Sequence, residues 1–150
     1  MLKPIALATL ISGTLDILLA MGLTLIYGRE IPNMLRYVAS GPFPSAKDMG
    51  ASGATLGLLV HFTLMAIMAA VFMVAARARP TILEKPIETA IAYGVLTYVV
   101  LDLLVVPLRF PAAFPPKPMS IATQLFAHVV LVGFVFVAIA RRYFQARTRI

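Results

Sequence analysis

Four ionisable side chains lie inside long apolar stretches of this sequence. They are Asp16, His61, Asp102 and His128. An ionisable group in an apolar helix is costly, and it normally faces other protein groups or a water-filled cavity. Carboxyl and imidazole groups bind and relay protons, and an imidazole can also ligate a metal. The chemistry to look for in this chain is therefore proton transfer, metal or haem ligation, or buried hydrogen bonding.

Two polar neighbours extend this set of candidates. Tyr98 lies one helical turn before Asp102, and Gln124 lies one turn before His128. Residues one turn apart share a helix face, so each neighbour is within reach of its ionisable partner. The candidate set for a buried polar, ligand-binding or proton site is therefore Asp16, His61, Tyr98, Asp102, Gln124 and His128.

The apolar stretch from Gly53 to Ala76 contains no Asp, Glu, Lys or Arg. Gly53, Gly57 and His61 are spaced by four residues, so they share one face of a helix. Two glycines at this spacing permit the close approach of a second helix. We therefore predict that Gly53 and Gly57 mark either a helix-packing face or a wall beside a flat ligand.

The composition sets the class of fold. Hydrophobic residues make up 61% of the chain and charged residues 13%, against roughly 45–50% and about 25% in soluble domains. Four apolar runs are long enough to cross a hydrocarbon core of about 30 Å. We predict an all-α, integral membrane, up-down bundle of four transmembrane helices that forms one domain, residues 1–150. The spans are predicted at residues 4–27, 53–76, 87–108 and 120–140.

The first outer loop contains a segment that favours a short helix. It reads PNMLRYVASG, residues 32–41, with a proline at its start and a glycine that suits its end. Its apolar side chains would share one face, as in a helix that lies at the membrane surface. We predict such an interfacial helix over the mouth of the bundle, with an ordinary connecting loop as the alternative.

Basic residues set the expected orientation. Four spans place both termini on one side, and eight of the thirteen lysines and arginines fall on that side next to the spans. The positive-inside rule then makes both termini cytoplasmic, in a bacterial-type inner membrane. The eight are Lys3, Arg77, Arg79, Lys85, Arg141, Arg142, Arg147 and Arg149, and the other five are Arg29, Arg36, Lys47, Arg109 and Lys117.

The two halves of the chain have related layouts. Each half has an aspartate on its outgoing helix and a histidine early on its returning helix, which pairs Asp16 with His61 and Asp102 with His128. At about 1.5 Å per residue, all four groups fall in the outer half of the bundle. We therefore expect Asp16 to face His61, and Asp102 to lie within hydrogen-bond reach of His128 or Tyr98.

Three roles fit these pairs. In the first, the aspartates accept hydrogen bonds and fix the register of the helices. In the second, His61 and His128 ligate one haem from opposite sides, in an electron-transfer protein. In the third, the Asp and His side chains relay protons or accompany a small solute. A catalytic zinc site would require both histidines and both aspartates.

Other functions lack a sequence pattern. There is no H-E-x-x-H, G-x-S-x-G, P-loop or Rossmann fingerprint, so we predict no catalytic residue and no enzyme. The basic residues flank apolar spans, where they contact anionic lipids, so no nucleic acid is expected. We predict a small accessory or structural subunit of a larger membrane complex, or a homo-oligomer, with lipids and other membrane subunits as partners. The alternative is a membrane protein that binds haem or transports protons or a small solute.

Five segments together carry a resemblance. They read LISGTLDILLA, IPNMLRYVASG, GLLVHF, VVPL and FAHVVLVGF, and they are spread over nearly the whole chain. This pattern resembles a group of small bacterial inner-membrane proteins with four predicted helices and no settled function. The resemblance implies the architecture alone, and it assigns no residue a catalytic role.

Overall fold

The computed structural model describes residues 1–145, which form helices joined by short turns, with no strand among them. Arg147 and Arg149, which enter the charge count above, lie outside the described residues. In chain order the helices are α1 (Leu2–Ile26), α2 (Ile31–Ala39), α3 (Gly50–Ala78), α4 (Pro86–Arg109) and α5 (Pro118–Phe144). Short helical turns at Pro44–Asp48, Pro80–Glu84 and Pro111–Ala113 connect them.

Four of these helices, α1, α3, α4 and α5, are long and apolar enough to cross a membrane. The chain is therefore a helical bundle compatible with a multi-pass membrane protein. Helices α3, α4 and α5 extend beyond the predicted spans at both ends, whereas α1 is shifted by one or two residues toward the N-terminus. The difference arises because hydropathy locates the apolar run, while a helix continues until its backbone hydrogen bonds end.

The helices pack as two pairs, α1 with α3 and α4 with α5, and α5 also contacts α1 and α3. Two glycines bring α4 and α5 together: Gly94 lies against the backbone of Val129, and Gly133 lies against the carbonyl of Ala90. Across the two pairs, the buried Ser12 hydroxyl donates to the carbonyl of Leu131 at 2.5 Å. These contacts fix α5 relative to α4 and α1.

Helix α2 covers the start of α3. Gly57 meets the backbone of Leu35, and Gly53 meets the carbonyl of Ala46, so a side chain at either glycine would collide with main chain. The C-terminal end of α2 is also held to the end of α4, because the side chain of Arg109 donates hydrogen bonds to the backbone carbonyls of the two residues that follow α2. The short helix of the first loop thus bridges the two helix pairs at one end of the bundle.

Three aromatic rings fill the centre of the bundle in the half that lies away from α2. Phe72 lies 4.8 Å from Tyr93 and 6.1 Å from Phe136 between ring centroids, and both phenylalanines are buried. The Tyr93 hydroxyl donates to the carbonyl of Met68 at 2.7 Å, which satisfies a polar group that would be costly if unpaired. This cluster joins α3, α4 and α5.

Three stretches of helix in the described part of the chain are wound as wide π turns. They are Val99–Val105 in α4, Ala127–Phe134 in α5, and Arg141–Gln145 at the end of α5. Within the first, the N–H of Val106 reaches back to the carbonyl of Leu101, one residue farther than in an α-helix. Pro107 follows directly, and its ring and missing N–H disfavour a regular α turn at this place. The first two of these π stretches carry Asp102 and His128, respectively.

Candidate functional site

His128 and Asp102 form a direct pair between α5 and α4. The Nε2 atom of His128 lies 3.1 Å from Oδ2 of Asp102, which is hydrogen-bond distance. The Nδ1 atom of the same ring lies 2.8 Å from the hydroxyl oxygen of Thr97, and that hydroxyl lies 2.9 Å from the carbonyl of Gly94. His128 and Thr97 are buried, so this chain of contacts is largely removed from the surroundings.

The partners fix where the protons of this chain lie. The carbonyl of Gly94 can only accept, so the Thr97 hydroxyl donates to it and can only accept from His128 Nδ1. His128 therefore carries a proton on Nδ1. Its Nε2 then meets the carboxyl of Asp102, and a bare nitrogen facing an ionised carboxylate would have no hydrogen to share. When one proton lies between them, on Asp102 or on His128, the pair has no net charge.

His61 and Asp16 form a looser pair between α3 and α1. The Nε2 atom of His61 lies 2.9 Å from the carbonyl of Gly13, which can only accept, so Nε2 carries a proton. The other ring nitrogen, Nδ1, lies 3.9 Å from Oδ2 of Asp16. This separation exceeds a direct hydrogen bond, and a small side-chain movement or one bridging water would close it.

Both pairs line one cavity of about 210 Å³. The side chains of Asp16, His61, Asp102 and His128 keep 25%, 12%, 18% and 11% of their surface exposed, so they are accessible through it. All four side chains line this one cavity, so they form one cluster. The remaining walls are Leu64, Met65, Met68, Leu101, Val105, Val106, Gln124 and Val132.

The cavity ends at the aromatic cluster. Phe72 lies one helical turn beyond Met68 along α3, and Phe136 lies one turn beyond Val132 along α5. Val132 lines the cavity and also belongs to the buried core that contains Phe72 and Phe136, and Met68 packs against that core. The buried core therefore begins at the wall of the cavity that is nearer to the end of the bundle at which the chain starts.

The other predicted residues lie at or near this cavity. Gln124 is an exposed residue at its edge. Tyr98 is buried, and its ring packs edge-on against His128 at 6.1 Å between centroids, whereas the polar partner of Asp102 is His128. Gly53 and Gly57 face α2 and do not line the cavity.

Thr97 and two backbone carbonyls are the members of the site that sequence analysis missed. Thr97 is one residue from Tyr98, so it lies on a different helix face from the one considered. The sequence did contain one indication of this role, because a threonine inside an apolar span must find a hydrogen-bond partner there. The carbonyls of Gly13 and Gly94 carry no signal in the sequence, because every residue has one.

This arrangement does not fit a haem held by two histidines. Both ring nitrogens of His128 have partners in the bundle, and the protonated Nε2 of His61 is directed at Gly13. The face of Gly53 and Gly57, which could have bordered a flat ring, is filled by α2. Among the described residues, no group of three or more His, Cys, Asp or Glu side chains is close enough to hold a metal ion.

Comparisons with protein-family models, with curated proteins and with solved structures find no match to this chain. The site is a cavity with two carboxyl groups and two imidazoles, in which one ring nitrogen of each histidine is fixed as a donor and the other faces an aspartate.

Proposed function

We propose that this chain is a small integral membrane protein whose Asp/His cavity binds protons reversibly, as a proton relay or a proton-coupled carrier of a small solute does. One observation carries the proposal: each histidine has one ring nitrogen held by a main-chain carbonyl or by Thr97, and its second nitrogen faces an aspartate in the same cavity. A histidine held in this way can gain or lose a proton only toward the carboxyl group.

The difference between the two pairs supports a relay over a purely structural role. A structural pair needs direct contact, and the Asp102–His128 pair has it at 3.1 Å. The Asp16–His61 pair is open at 3.9 Å and keeps a quarter of the Asp16 side chain exposed. An ionisable residue left partly open in an apolar span has a cost that packing does not offset, and such residues are typical of proton pathways.

Proton transfer is tested directly in proteoliposomes that enclose a pH-sensitive dye. We expect wild-type protein to admit protons when a potassium diffusion potential is applied, and the Asp16→Asn/Asp102→Asn double variant to lose most of that flux. Asp48→Asn is the matched control, because Asp48 is an exposed aspartate in the loop after α2. Equal flux from the wild type and the double variant would refute the proton relay.

We also propose the orientation given by the positive-inside rule, with both termini on the cytoplasmic side of a bacterial inner membrane. Ser45 and Thr81 are exposed residues in turns at opposite ends of the bundle, and the chain has no cysteine. We expect Ser45→Cys to react in whole cells with an impermeant thiol reagent, and Thr81→Cys to react only after the membrane is opened. The reverse pattern would invert the orientation.

The role of an accessory subunit or a homo-oligomer stays a prediction, since no contact in the described part of the chain favours a particular partner. It is compatible with proton binding, because a subunit can supply a proton-binding site to a larger complex. The size of the particle extracted in a mild detergent distinguishes a monomer from an assembly.

A further inference from the structure

A second cavity, of about 190 Å³, lies outside the bundle on the surface formed by α2 and the turn that follows it. It is lined by Asn33, Arg36, Tyr37 and Lys47. Two of these four residues are cations, and neither has a carboxylate within ion-pair distance in the described part of the chain. The Asp/His cavity uses none of these residues.

Arg36 is held in place for binding. Its guanidinium donates to the side-chain carbonyl of Asn33 and, at 3.4 Å, to the backbone carbonyl of Gly50. Both acceptors are neutral, so the positive charge is oriented without being neutralised. A guanidinium has five N–H donors, and those that remain suit the planar, two-pronged recognition of a phosphate or carboxylate.

Lys47 is also positioned. Its ammonium lies 5.8 Å from the ring centre of Tyr37 and 5.7 Å from that of Phe110, which is within the range of a cation–π contact. The two rings are stacked on each other at 4.4 Å. Partial desolvation raises the pKa of Tyr37 further above its ordinary value of about 10, at which the phenol is already neutral at pH 7, so the ring adds no negative charge next to the two cations.

Among the described residues, one carboxylate accepts a hydrogen bond from a side chain that lines this cavity. Glu30 accepts a hydrogen bond from the amide of Asn33 at 2.9 Å, and it is not among the lining residues. Two oriented cations therefore face the cavity from its walls. Since a water molecule occupies about 30 Å³ of liquid volume, the cavity has room for a phosphate group with some of its water.

We propose that this cavity binds a phosphate-type anion between Arg36 and Lys47. The same chemistry is offered by inorganic phosphate or a soluble phosphate ester, and by the phosphodiester of an anionic lipid headgroup. In either case Arg36 supplies directional hydrogen bonds, and Lys47 supplies a second positive charge on a flexible stem.

The test uses full-length protein in a neutral maltoside detergent. In one arm, inorganic phosphate is titrated and the thermal midpoint is followed. In the other, native mass spectrometry counts retained phosphatidylglycerol against phosphatidylcholine. We expect Lys47→Gln and Arg36→Gln to weaken the phosphate response or the retention of anionic lipid by about tenfold or more. Lys117→Gln, an exposed cation on the loop before α5, should change neither.

The two arms separate the sources of the anion. Stabilisation by inorganic phosphate identifies a free anion, and selective retention of phosphatidylglycerol without a phosphate response identifies a headgroup. Because Arg36 also contacts Asn33 and Gly50, its replacement could disturb α2, so the exposed Lys47 provides the decisive variant. If Lys47→Gln and Lys117→Gln behave alike, or the wild type responds in neither arm, the proposal is wrong.

Discussion

Asp102→Asn is expected to leave the bundle about as stable as the wild-type protein while removing one proton-binding event. The amide of asparagine is a donor and can place an N–H against Nε2 of His128, as a protonated Asp102 does. It cannot release that proton, so the variant fixes the pair in its proton-loaded form. Thermal unfolding in detergent measures the first effect, and a pH-jump titration with an indicator dye measures the second.

Asp102→Leu is expected to behave differently. Leucine leaves Nε2 of the buried His128 without a partner, which costs about 1–3 kcal/mol of unfolding free energy. Asp16→Leu should cost less, because the 3.9 Å contact to His61 is not a direct hydrogen bond. If Asp102→Asn destabilised the protein as much as Asp102→Leu, the hydrogen-bond directions inferred for this pair would be wrong.

Gly133→Ala should be strongly destabilising. A Cβ atom at this position would lie 2.1 Å from the carbonyl oxygen of Ala90. Because this oxygen belongs to the main chain, the clash can be relieved only if α4 and α5 move apart. Overpacking of this kind costs about 1–3 kcal/mol and occasionally more. The same separation would displace His128, which lies five residues earlier in α5, so loss of proton binding should accompany the lower melting temperature.

Gly22→Ala is the matched control for this prediction. Gly22 is also within a long helix, and nothing lies within 4 Å of a Cβ atom built there. Since alanine is the better helix former by up to about 1 kcal/mol, this variant should melt at the same temperature or higher. Equal losses from the two substitutions would mean that α4 and α5 do not approach as closely as described.

Much of the fold could be predicted from sequence because long apolar runs have few alternatives. The run after Gly53 has no charge to interrupt it, so its helix is specified by composition alone. The helical segment of the first loop was detectable from Pro32 and Gly41 at its ends, and α2 does form there, at Ile31–Ala39. A proline, Pro107, directly follows the π stretch around Asp102, whereas the π stretch around His128 has no such marker.

The candidate site was less predictable, because pairing depends on which helix faces meet. The cost of burying Asp and His indicated which residues to consider, but the acceptors that fix the ring protons are carbonyls without a sequence signal. The close contact of Gly94 with α5 was overlooked for a related reason. Ala90 and Gly94 have the same small-residue spacing as Gly53 and Gly57, yet the spacing alone does not identify the neighbouring helix.

The neutrality of the Asp102–His128 pair has a consequence for the response to voltage. In a membrane, the transmembrane potential acts on net charge with about 2.3 kcal/mol per elementary charge for a full crossing of 100 mV. A pair that shares one proton has no net charge, so the field acts on it only through its dipole. When the proton leaves, a single negative charge remains part of the way across, and the field acts on it in proportion to the share of the potential that it has crossed. The transmembrane potential of the cell would therefore shift the fraction of time for which this pair lacks its proton.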